Sequence, residues 1–67
     1  MPFILTEEPG GGRQGDAFGA LDNTFGTGEF SEGQAITVLS NELECGSNEA
    51  SSIFARLISG GYVSEVE

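Results

Sequence analysis

Histidine and lysine are missing from this sequence, and cysteine occurs once, as Cys45. Each absence removes a class of chemistry. A lone thiol cannot close an intramolecular disulfide, and without imidazoles the chain has too few ligands for a structural zinc site. Cys45 is flanked by Glu42 and Glu44, and no basic neighbour is present to activate it as a nucleophile. The acid pairs Glu42/Glu44 and Glu65/Glu67 read as solvated surface rather than as an acid–base couple. An enzyme is therefore not expected, and no catalytic, cofactor-binding or metal-binding residue is assigned. Long hydrophobic runs are also missing. Phe3-Ile4-Leu5 is too short for a signal peptide or a membrane span, and a free thiol suits a reducing compartment, so the expected location is cytoplasmic, without membrane contact.

Positive charge is nearly absent. Arg13 and Arg56 alone oppose 11 acidic residues, for a net charge of −9. Such a surface repels phosphate backbones at low salt. The apolar residues, 37% of the total, recur with helical spacing, which argues against a disordered chain. An acidic, lysine-free composition that keeps its aliphatics resembles that of cytoplasmic proteins from salt-loving archaea, where molar salt shortens the Debye length to about 3 Å. Sixty-seven residues allow one domain, and a chain this short buries only about 60% of the surface it exposes when unfolded. With no disulfide or metal to staple it, self-association as a homodimer is expected.

Along the chain, residues 2–8 (PFILTEE) suggest a short strand and 9–15 (PGGGRQG) a loop. Gly10 to Gly15 formally satisfies G-x-G-x-x-G, but Thr6-Glu7-Glu8-Pro9 separates it from the strand. Two carboxylates would sit beside any pyrophosphate, and the remaining chain is too short for a dinucleotide-binding fold. It reads as a flexible linker, so 1–15 is taken as strand plus linker and 16–67 as the main domain. Asp16 is placed to cap a first helix over 16–25 carrying Ala17, Phe18, Leu21 and Phe25, ended by Gly26. Gly19 weakens that helix by about 1 kcal/mol relative to alanine. Ser31 and Gln34 form a capping box for a second helix over 32–43, with Phe30 positioned to staple onto Ala35. Ser47 caps a third helix whose inner face is Ala50, Ile53, Phe54, Leu57 and Ile58. Gly60-Gly61 stops it, and Tyr62 to Glu67 alternates like an edge strand.

From Phe30 onward this order resembles a winged helix-turn-helix domain. The residues that carry the resemblance are Phe30-Ser31, Ala35 and Leu39, then Ser47, Ala50, Phe54 and Leu57, then Gly61-Tyr62-Val63. The resemblance implies a mainly α fold with a small β element, in which three helices are followed by a wing. Here the wing is truncated to one strand. Its missing strand is expected either from residues 3–8 pairing antiparallel with 62–67, or from a second protomer.

The resemblance also implies that the third helix reads double-stranded DNA in transcriptional regulation. If its apolar positions face the core, Asn48, Glu49, Ser51, Ser52, Ala55, Arg56 and Ser59 point outward. Arg56 then meets a guanine edge or a phosphate, Asn48 an adenine, and Ser51 and Ser52 phosphate oxygens. One arginine on this helix releases about one counterion where competent binders make roughly six to ten phosphate contacts. A protein-docking or dimerisation module of the same fold is thus the alternative, with Arg56 a solvated side chain and Asn48, Ser51 and Ser52 ordinary helix-start residues.

Overall fold

The structure, a computed structural model, describes residues 2–66. Its elements are β1 (Phe3–Leu5), α1 (Gly12–Phe25), α2 (Glu32–Glu42), α3 (Ser47–Ser59) and β2 (Val63–Glu65). This is the expected mainly α class, three helices with a small antiparallel sheet, consistent with a winged-helix-like fold. The wing is completed within the chain. β1 pairs antiparallel with β2 in the register Phe3↔Glu65, Ile4↔Ser64, Leu5↔Val63, and the Thr6 hydroxyl donates to the Gly61 carbonyl at 2.7 Å. The N-terminal strand therefore belongs to the same sheet as the end of the domain.

The largest difference from expectation is the start of α1. It begins at Gly12, inside the segment read as a linker, and Asp16 is an exposed residue within the helix rather than its cap. A glycine run normally reads as loop because it loses most backbone entropy on ordering. Here the glycines permit two things that other residues resist. Gly12 takes φ +81°, and a Cβ at Gly15 would stand 2.7 Å from the Gly10 carbonyl oxygen. The loop backbone thus folds against the first helical turn, and Pro9 is buried beside it in sequence.

The capping box of α2 forms as expected: the Gln34 amide donates to Ser31 Oγ at 3.2 Å, and the Ser31 amide to Gln34 Oε1 at 2.9 Å. Phe30 does more than staple this helix. It exchanges backbone hydrogen bonds of 2.7 and 3.0 Å with Phe3, which makes it a one-residue strand on the free side of β1. Its ring, 2% exposed, lies 4.8 Å from that of Phe25, 6.2 Å from Phe54 and 6.4 Å from Phe3. Four aromatic rings from β1, α1, the α1–α2 loop and α3 therefore meet in one cluster, and such offset or edge contacts add about 0.5–1.5 kcal/mol per pair beyond burial.

The α2–α3 turn also differs in detail. α2 ends at Glu42 with Leu43 as its C-cap, Gly46 rather than Ser47 is the N-cap of α3, and no side chain caps it. The left-handed residue of the turn is Glu44, at φ 51°. On α3, Ala50, Ile53, Phe54 and Leu57 are buried, whereas Ile58 is 39% exposed and lies outside the core. At roughly 100° per residue, Ile58 falls at the margin of the buried stripe. Among the described residues, no helix is long and apolar enough to cross a membrane.

Candidate nucleic-acid interface

The exposed side of α3 is built by the same periodicity that buries its inner face. Asn48, Ser52, Ala55, Arg56 and Ser59 are exposed, and Ser51 is half-buried. Taking about 100° per residue, Asn48, Ser52, Ala55 and Ser59 form the outward ridge, Glu49 and Arg56 one flank, and Ser51 and Ile58 the other. The four residues expected to read DNA therefore do not make one patch: Ser52 and Arg56 adjoin at i, i+4, Asn48 lies along the ridge, and Ser51 is roughly 140° from Arg56. The guanidinium of Arg56 makes no hydrogen bond or ion pair to another described residue.

Glu49 is engaged by a residue that sequence reasoning left in a linker. Arg13, in the first turn of α1, donates through Nη2 to Glu49 Oε1 at 3.1 Å. Both side chains are about half exposed, so the pair is worth no more than about 1 kcal/mol. Its importance is positional. Arg13, Glu49, Ser52, Ile53 and Arg56 line a shallow groove of about 340 Å³ between α1 and α3. Lysine and arginine total 2 in the sequence, and both line this groove.

The local charge balance is +1, from two arginines less one glutamate, in a chain of net charge −9. The groove between α1 and α2 has the opposite character, with Asp16, Asp22 and Glu42 along it. Folding thus segregates charge that looks evenly spread in the sequence. The groove on the α3 side suits a single anionic group held between two guanidinium ions. Among the described residues, no group of three or more His, Cys, Asp or Glu side chains is arranged to hold a metal ion. Cys45 is half-buried, with its Sγ 3.8 Å from the Leu39 carbonyl and its own carbonyl accepting from Ser40 Oγ at 2.7 Å.

A third surface depression of about 520 Å³ is lined by Phe25, Gly33, Gln34, Thr37 and Val38 and carries no charged side chain. It lies between the end of α1 and the outer side of α2. No protein-family model matches the chain, and neither a curated protein nor a solved structure is similar to it at a significant level.

Proposed function

We propose that this chain is a small winged-helix-like DNA-binding protein, a transcriptional regulator working in a high-salt cytoplasm, which meets the duplex with α3 and the α1–α3 groove. The observation that carries this reading is the convergence of both cations, Arg13 and Arg56, beside the exposed ridge of α3. In this arrangement Arg56 and Arg13 hold backbone phosphate, Ser52 donates to a phosphate oxygen between them, and Asn48 reaches a base edge. Ser51, on the opposite flank, is outside the contact set.

Two cations release at most about two counterions, so affinity per protomer is modest. Repulsion from the remaining acids dominates at low salt and fades as the Debye length falls to about 3 Å in molar salt. Titration of labelled duplex DNA by anisotropy tests the reading. Binding is expected in molar KCl and weaker at low salt, with Arg56→Ala losing it. Absence of binding in both conditions, or an Arg56→Ala variant that binds like the parent, sinks it. The uncharged depression around Phe25 and Val38 favours a second reading, a protein-interaction module, which the first of those outcomes selects.

A further inference from the structure

The two cations of the α1–α3 groove are not equivalent. Arg13 already has a carboxylate: its Nη2 donates to Glu49 Oε1 at 3.1 Å, and among the described residues this is its one side-chain hydrogen bond. A guanidinium carries several N–H donors in a fork and binds carboxylate or phosphate most strongly through two parallel bonds. The contact to Glu49 uses one donor, so most of the fork stays open. Both side chains are also about half exposed, which keeps the pair weak.

Of the residues that line the groove, Glu49 alone is acidic. It stands in the first turn of α3, where the macrodipole favours a carboxylate with or without an arginine beside it. Arg56 lies two turns further on, about 10.5 Å along the axis and nearly in line with Glu49. Ser52 stands between them on the same helix and lines the same groove. A phosphate held over Ser52 by both guanidinium groups therefore draws Arg13 from the end of this row towards its middle, away from Glu49. A phosphate that joined Arg13 without displacing Glu49 would set two anions against one cation, in a groove whose charge balance is only +1.

We infer that Glu49 is a resident competitor, a carboxylate that occupies Arg13 in the free protein and gives it up to an incoming phosphate. Glu49 thus lowers the affinity of the groove by acting through Arg13. The exchange replaces a single hydrogen bond with a bidentate one to a more highly charged group, and the released carboxylate stays solvated at the start of its helix. Direct repulsion between Glu49 and the ligand is a different effect. It acts whether or not Arg13 is present, and in molar salt a Debye length of about 3 Å screens it beyond contact. The inference rests on the DNA reading for the source of the phosphate, and not for the exchange itself.

Two probes test it on the full chain in molar KCl: labelled duplex DNA by anisotropy, and inorganic phosphate followed by NMR through the Nε–H signals of the two arginines. Glu49→Gln is expected to tighten binding at least about twofold and up to about fivefold, the size of an exposed ion pair written as an equilibrium constant, with unchanged helical circular dichroism. In an Arg13→Gln background there is nothing to release, so the same substitution should lose more than half of that effect on a logarithmic scale. Tightening on DNA supports the inference with the duplex as the source of phosphate. Tightening on inorganic phosphate without any DNA binding also supports it, while removing the DNA reading. DNA binding that Glu49→Gln leaves unchanged or weakens overturns the inference and keeps the DNA reading, with Glu49 then neutral or a group that positions Arg13. An effect that survives mostly intact in the Arg13→Gln background overturns it as well, because the carboxylate then acts by direct repulsion. Binding of neither probe by parent or variant overturns both.

Discussion

Replacing a helical glycine by alanine usually stabilises a protein, and α1 contains two glycines for which the structure expects opposite signs. Gly19 is exposed, and nothing lies within 4 Å of a Cβ built there. Gly19→Ala should therefore realise the full propensity gain of about 1 kcal/mol. Gly15 has the same intrinsic gain available, but its Cβ would meet the Gly10 carbonyl oxygen at 2.7 Å. That neighbour is backbone, held in a loop between β1 and α1, and relieving the contact means moving the loop or unwinding the first turn. Strain of this kind costs about 1–3 kcal/mol, so Gly15→Ala should be destabilising by up to about 2 kcal/mol net. Urea unfolding followed by circular dichroism reads both variants. With a slope near 1 kcal/mol per M for so small a domain, the midpoints should move by about 1 M upward for Gly19→Ala and by up to about 2 M downward for Gly15→Ala. If both variants gain stability equally, Gly10 does not pack on Gly15. The helix then starts nearer Asp16, and Arg13 loses its place beside α3.

Two further substitutions test the core and the α2–α3 turn. Phe30→Ala removes the ring shared by the aromatic cluster, at a cost of about 3–5 kcal/mol, comparable to the whole stability of a domain this size. It should abolish the cooperative unfolding transition at low salt, and a retained transition with a nearly unchanged midpoint contradicts the cluster's role. Glu44→Gly relieves a left-handed glutamate at φ 51° and should stabilise by about 0.5–1 kcal/mol in the same urea assay. A loss of stability there would mean the turn does not need that conformation.

How much of this was legible beforehand differs element by element. The α3 stripe and the Ser31/Gln34 capping box depend on residues within a few positions of each other, and local spacing carries them. The pairing of residues 3–5 with 63–65 was one of two stated ways to complete the wing, because alternation marks strands without naming their partners. The start of α1 was hidden because its cause is a contact between two backbones, Gly10 and Gly15, in a run whose composition signals a loop. Arg13 was missed for that reason. Its partner Glu49 is 36 positions away, a separation that no periodicity reports. One signal did exist: in a sequence with only two cations, each is a candidate for any anionic ligand wherever it falls. The exposed position of Ile58 and the half-buried one of Ser51 share one cause, since they flank the same edge of α3 and local spacing does not tell which neighbouring helix covers that edge.

In the proposed DNA-binding mode the two arginines act as one site, and the salt dependence of DNA binding measures this directly. Each phosphate contact contributes about 0.9 to the slope of log K against log [KCl]. Above the salt range where acidic repulsion dominates, the parent protein should show a slope of about −2 per protomer, and Arg13→Gln and Arg56→Gln should each reduce its magnitude by about 1. A slope that Arg13→Gln leaves unchanged while Arg56→Gln lowers it would contradict the shared groove, and a slope that neither variant alters would remove the α1–α3 face from DNA binding altogether.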